Sequence, residues 1–358
     1  MPSDSLERII KCIANYAMSQ TPELLFNRQF TIDIDSLSDS QMDYLVRFLN
    51  ENRVTFLFYE ALKNLNSPNI SKLKDRLEPS FNKIKELEGQ RDDIMRRLAA
   101  VFDNMNIDYV VFKTLNASGW IGVDIDVMIE LSSYDRCVDA LLRNGFYPID
   151  DLSKKYATGF MVKGNPIIID LHTELAILGV RYMSSDMLLR NKRTQPFQDG
   201  LASASFELNV LNETMDAFVR IAHAVLKEGS LTIAEVAEVS RGFSGNPDLI
   251  VKLIDEEDFQ LSAAIFSYAA ECMSNVQGIK PLIMFKKSFV HSLARSLMVN
   301  SISNSLPPFK FQAAMSMLAF LDHLSGSGEI ANYLPSLVNS FRFRRNTAYI
   351  ARKFLLRN

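Results

Sequence analysis

The chain has 358 residues, 47% hydrophobic and 23% charged, with a formal net charge of −3. That is ordinary globular composition, enough for two or three domains or for one core with large helical additions. Cys12, Cys137 and Cys272 lie far apart with no CxxC, so neither a disulfide framework nor a zinc ribbon is suggested, which suits a reducing compartment. No uncharged apolar run approaches the roughly 20 residues of a membrane span. The opening MPSDSLERII lacks the basic-then-apolar pattern of a signal peptide. A cytoplasmic protein with no membrane partner is expected.

Taken in order, residues 1–95 read as helical. Ser5 is placed to cap a first helix that carries Leu6, Ile9, Ile10, Ile13 and Tyr16 along one side. Ser38 precedes a second, with Met42, Leu45, Val46 and Leu49 on one face. Residues 54–62 form a short aromatic third, and residues 64–71 are a loop by their Asn, Ser and Pro content. A long amphipathic helix is predicted from Pro79 through Ile84, Leu87, Ile94, Leu98 and Phe102. It delivers the chain into a strand at 107–112. A second strand follows at 125–129. Ser132 or Ser133 then caps a helix over 134–144, stopped by Gly145. Residues 159–162 and 167–171 form a hairpin about Lys163-Gly164-Asn165-Pro166. Residues 196–206 read as irregular or one short strand. From Asn212 the pattern is helical, with Met215, Phe218, Val219, Ala222 and Val225 inward and loops at 241–247, 301–308 and 325–328. The fold class is α+β. A small mixed β-sheet core over 96–206 is flanked by helical regions at 1–95 and 207–358.

The chemistry concentrates at residues 107–130. Side chains of a strand alternate between faces, so Asp124, Asp126, Met128 and Glu130 share one face and Ile125, Val127 and Ile129 the other. Two carboxylates about 4 Å apart repel by roughly 4 kcal/mol at an effective dielectric near 20. A cation, or a shared proton, relieves that cost, and a divalent metal is the leading reading. Asp170, at the end of the Ile-Ile-Ile-Asp-Leu-His arm, supplies a third acid. Three such carboxylates suit a two-metal phosphoryl-transfer site with Mg²⁺ or Mn²⁺ as cofactor. Asp124 and Asp126 would bridge the metals, and Asp170 would bind the one nearer the attacking hydroxyl.

These positions, Phe112-Lys113-Thr114, Asp124-Ile125-Asp126 and Asp170-Leu171-His172, resemble the nucleotidyltransferase superfamily built on the DNA polymerase β catalytic fold. The likeness is strongest to a group of prokaryotic nucleotidyltransferase-like proteins with a helical N-terminal region, a Lys-Gly turn, an Asp-x-Asp strand and a later Asp-Leu-His strand. It covers about residues 80–175. The resemblance implies transfer of a nucleoside monophosphate from an NTP to a hydroxyl acceptor on a protein, a small molecule or an RNA end. It also implies catalytic and metal-binding roles for Asp124, Asp126 and Asp170. Thr114 stands where the family has glycine. Phosphates would then be held by Lys113, the hydroxyls of Thr114 or Ser118, and the following helix N-terminus.

Plainer readings stand beside these. The acids would be a solvated strand face, Trp120 a packing residue, and His172 a hydrogen-bonded histidine or one that orients Asp170. Lys113 would be a strand-end surface lysine. Residues 342–358 carry six basic side chains and no acid, so the rest of the chain is more acidic than the whole. Arg342, Arg345 and Arg352 share a helical face suited to a nucleic-acid backbone, or to docking on the acidic body. Arg181, Arg190, Lys192 and Arg193 form a second basic cluster. The rival functions are an inactive nucleotidyltransferase-fold scaffold that binds a nucleotide, nucleic acid or protein, and a glycosyltransferase. The helical first hundred residues and the third acid at Asp170 argue against the last.

Overall fold

The computed structural model describes residues 4–19, 28–116, 119–149, 157–177, 180–198, 205–228, 230–257, 259, 261–263, 265–266, 309–310, 319 and 321–323. The chain is mixed α+β and divides into two compact units. One comprises residues 1–84, 116–120 and 217–323, and the other 85–115, 121–216 and 324–358. The sequence-derived limits at 95 and 206 fall inside a helix and a strand.

In the helical unit, α1 (Asp4–Ser19), α2 (Arg28–Asp35), α3 (Asp39–Glu51) and α4 (Thr55–Leu62) follow one another. Leu6, Ile9, Ile10 and Ile13 of α1 are buried, as their spacing predicts. Ser38 caps α3 through a complete capping box with Gln41. Helix α5 runs Pro68–Asn104 and carries Pro79 inside it. The loop read over 64–71 therefore ends early. The start signal lies eleven residues before Pro79: Ser67 Oγ accepts from the Ile70 amide at 3.2 Å, and Pro68 takes the first helical position. Ile70, Leu73, Leu77, Phe81 and Ile84 continue one buried stripe across Pro79. Burial of that stripe outweighs the backbone hydrogen bond that the proline removes.

The same unit contains a π-helical turn at His223–Glu228, then β10 (Ser230–Leu231), α9 (Ile233–Gly245) and α10 (Pro247–Glu256). Residues 241–245, read as loop, thus belong to a helix. Asn52, fully buried, accepts from the Ile233 amide with its side chain and from the Ala234 amide with its carbonyl, tying α3 to α9. A short strand β11 (Phe309–Lys310) pairs antiparallel with β10.

The second unit is built on a seven-stranded mixed sheet. Its strands are β1 (Tyr109–Phe112), β2 (Asp124–Ile129), β3 (Phe146–Ile149), β4 (Ala157–Val162), β5 (Asn165–His172), β8 (Lys192–Gln198) and β9 (Ser205–Leu211). Between β5 and β8 lie a separate two-stranded ribbon, β6 (Glu174–Ile177) and β7 (Val180–Ser184), and the short helix α7 (Ser185–Arg190). The order across the sheet is β3-β4-β5-β2-β1-β9-β8. Strand β2 is antiparallel to β1 and parallel to β5, and β1 is parallel to β9. The predicted 4/5 hairpin forms, with Gly164 at φ +81° in its turn.

Helix α6 (Tyr134–Arg143) and the later turns of α5 supply one apolar layer. Ile94, Leu98, Phe102, Cys137 and Leu141 join Val111, Ile125, Val127, Ile129, Ile169 and Val210 in a single core. The β-branched face of β2 is therefore buried, and the acidic face looks the other way. Where 196–206 reads as irregular or one short strand, its described residues belong to β8 and β9, two paired strands that extend the sheet beyond β1. Asn212 caps α8 (Glu213–Ala222), its side chain accepting from the Met215 amide at 2.8 Å. Among the described residues no helix is long and apolar enough to cross a membrane. The basic tail and the segments read as loops at 301–308 and 325–328 lie outside the described residues.

Candidate functional site

Register decides what meets on the acidic face. Asp126 of β2 stands opposite Phe112 of β1 on one side and Asp170 of β5 on the other. Asp170 in turn stands opposite Gly159 of β4, and Gly159 opposite Ile149 of β3. Residues opposed in register point to the same face, so a row Phe112–Asp126–Asp170–Gly159–Ile149 crosses five strands. The next row on that face holds Met128 beside His172. From there His172 reaches back diagonally, and its Nε2 lies 2.9 Å from Asp126 Oδ1. Its ring also tilts against Phe112, centroids 5.6 Å apart. The histidine thus contacts Asp126.

Asp126, Asp170 and His172 are all buried, and each offers a ligand atom within 4.8 Å of the others. This cluster could hold a metal ion. At 4.8 Å or less, two ionised carboxylates repel by at least about 3.5 kcal/mol at an effective dielectric of 20. The donor set suits a divalent cation, since two carboxylate oxygens and one imidazole nitrogen are accepted by Mn²⁺ and related ions. Gly159 adds to the fit. It sits mid-strand with no positive φ, and an added Cβ would find Ile149 Cδ1 at 3.4 Å and Asp170 Oδ1 at 3.8 Å. Neither backbone shape nor close packing demands glycine there. Its missing side chain leaves space beside the Asp170 carboxylate, as strand glycines do where a ligand approaches.

Lys113 provides the positive charge. Its Nζ lies 2.9 Å from Asp126 Oδ2, with the two side chains only 12% and 10% exposed. The residue leaves β1 in a left-handed turn, φ +56°, a conformation uncommon for a side chain without local hydrogen bonding. Its backbone amide is fixed by Asp216 Oδ1 at 2.7 Å, from the first turn of α8. Asp216 was not singled out in the sequence. An acid in a first helical turn is routine, and nothing local shows that it reaches a strand end 103 residues away. The positive-φ position is Lys113, not Thr114. Thr114 is buried, and its hydroxyl donates to the Phe112 carbonyl at 3.1 Å.

The remaining sequence-derived residues fall elsewhere. Asp124 is exposed at the start of β2, on the same face but outside the buried trio. Gly122 lies against it, since a Cβ there would meet Asp124 Oδ1 at 2.9 Å. Ser118 lies outside the described residues, as do Arg342, Arg345 and Arg352. In the helical unit, Trp120 is half-buried, its ring 5.7 Å from the Arg53 guanidinium. Of the second basic cluster, Arg190 pairs with Asp186, Lys192 with Asp108 and Arg193 with Glu213. Those three charges are locally compensated. No family model, curated protein or solved structure matches the chain.

Proposed function

We propose that this chain is a metal-dependent nucleotidyltransferase-like protein that moves a nucleoside monophosphate from an NTP to a hydroxyl acceptor. The observation that carries the reading is the cross-strand register of Asp126 and Asp170, which brings two buried carboxylates together on one face of the sheet. Asp126 and Asp170, with Asp124 at the rim and His172 beside them, would hold Mg²⁺ or Mn²⁺. When bound, that ion supplies charge neutralisation for the phosphates and for the attacking and leaving oxygens.

The protein's own groups have distinct tasks. Asp170, beside the side-chain-free Gly159, accepts the proton of the acceptor hydroxyl. The acceptor oxygen bonds to the α-phosphorus as the bond to the pyrophosphate oxygen breaks. His172 fixes the orientation of Asp126 by its contact with Oδ1. Lys113 offers its ammonium to the phosphates. The Thr114 hydroxyl is engaged with the backbone, so the side-chain contribution of this turn to phosphate binding falls on Lys113.

The ion pair of Lys113 with Asp126 favours a second reading, in which the lysine stands permanently in place of the metal and the site is a nucleotide-binding or partner-binding scaffold. α-³²P-labelled NTPs, incubated with Mg²⁺ or Mn²⁺ and candidate hydroxyl acceptors, separate the two. Transfer of label by the native chain, abolished in Asp126→Asn and Asp170→Asn, is the expected result. Nucleotide binding that ignores both the metal and these substitutions, with no label moved, would establish the scaffold instead.

A further inference from the structure

We infer that Lys113 is the resting counter-ion of the acidic site. It releases Asp126 to a divalent cation only when the phosphates of a nucleotide take over its ammonium, so that metal and nucleotide bind as one cooperative unit. This rests on the nucleotidyltransferase reading and adds an order of binding to it.

Three features of the turn carry the inference. First, both oxygens of Asp126 are already engaged, Oδ2 by Lys113 Nζ at 2.9 Å and Oδ1 by His172 Nε2 at 2.9 Å. A carboxylate oxygen has lone pairs to spare, so a metal is not excluded by geometry. An ammonium on the same carboxylate nevertheless repels a divalent ion and lowers the negative charge that would attract it. Second, the lysine backbone is held. The left-handed φ of +56° and the amide bond to Asp216 Oδ1 fix its Cα, while the ammonium sits at the end of a four-carbon stem with several rotatable bonds. The charge can therefore change partner without the strand moving. Third, glycine would occupy a left-handed position at no steric cost, yet a lysine sits there with its ammonium on the acid cluster. Strain retained at a residue whose two ends both have partners points to a positional role for its charge.

The binding logic follows from linkage. If nucleotide removes the ammonium from Asp126, it must raise metal affinity, and metal must raise nucleotide affinity by the same factor. The test measures Mn²⁺ alone by electron paramagnetic resonance on the full chain. It is then repeated with α,β-methylene ATP and α,β-methylene GTP, with the chelation of Mn²⁺ by the nucleotide itself subtracted. Lys113→Met is compared with the native chain, and Lys113→Gly, which suits the positive φ, covers the case in which the methionine variant does not fold.

Without nucleotide, both variants are expected to bind Mn²⁺ at least tenfold more tightly than the native chain. Nucleotide should tighten Mn²⁺ binding at least tenfold in the native chain and less than threefold in the variants. Equal or weaker Mn²⁺ binding by the variants overturns the counter-ion role while leaving the metal site in place. No Mn²⁺ binding by any of the proteins, with or without nucleotide, overturns the metal-dependent reading itself.

Discussion

The pairing of Lys113 with Asp126 can be weighed by a double-mutant cycle in the absence of metal. At 2.9 Å and an effective dielectric of 20, the attraction is about 6 kcal/mol. Most of that offsets the cost of removing both charges from water. What remains is exposed by breaking the pair from one side. Asp126→Asn keeps the shape and a polar partner for His172 but strands the ammonium in a site where it is 12% exposed. Lys113→Met leaves Asp126 and Asp170 facing each other with no cation between them. Each single change is expected to cost about 3–5 kcal/mol. The double variant carries no orphaned charge of either sign at this pair and should cost no more than the milder single change, a coupling of about 3 kcal/mol. Urea unfolding of the four proteins in EDTA reads all four corners. Single costs that add to within about 0.5 kcal/mol in the double variant would show the two charges to be independent and would refute this picture of the site.

Other expectations follow from the same geometry. Gly119→Ala forces a side chain at φ +69° and drives its Cβ into the Phe56 ring, so it should cost about 2–4 kcal/mol in urea unfolding; a cost below about 0.5 kcal/mol would contradict the packing at that turn. Arg8, with its Nη2 2.6 Å from Asp33 Oδ1, holds the Asp33 carboxyl below the ordinary carboxylate range. The stability from this pair is complete above the unfolded carboxylate pKa of about 3.9 and is lost as pH falls through the lower folded value. Unfolding followed from pH 6 to pH 2 should show Arg8→Ala losing less stability over the acid range than the native chain, and parallel curves would count against it. Burial pushes the Cys137 thiol up to about 12, so at pH 8 it should resist iodoacetamide until urea unfolds the core. Labelling of the native protein at the rate of a free thiol would show the core around α6 to be open.

Much of this fold can be read from local pattern, because the elements concerned are fixed by local chemistry. The capping box of Ser38 and Gln41, the stripe of Leu6, Ile9, Ile10 and Ile13, and the glycine turn before β5 all form where their residues place them. The two faces of β2 were legible for the same reason, since alternation is a property of the strand alone. Boundaries set by longer-range forces were not. Pro79 looks like a helix start, but a buried stripe on both sides carries α5 through it. Strands β8 and β9 read as irregular because their register comes from pairing with each other and with β1. At the site, the sequence offered the acids without their partners. That His172 meets Asp126 depends on a parallel register between two strands about 45 residues apart. That Lys113 turns left-handed depends on Asp216, far along the chain.

The proposed chemistry requires a divalent cation between Asp126 and Asp170. Crystals grown with Mn²⁺ and α,β-methylene ATP, measured at the manganese edge, test this directly. An anomalous peak about 2.0–2.4 Å from a carboxylate oxygen of both residues, with Lys113 turned from Asp126 to the phosphates, is the predicted result. Bound nucleotide with no peak between those two side chains, and Lys113 still on Asp126, would contradict it.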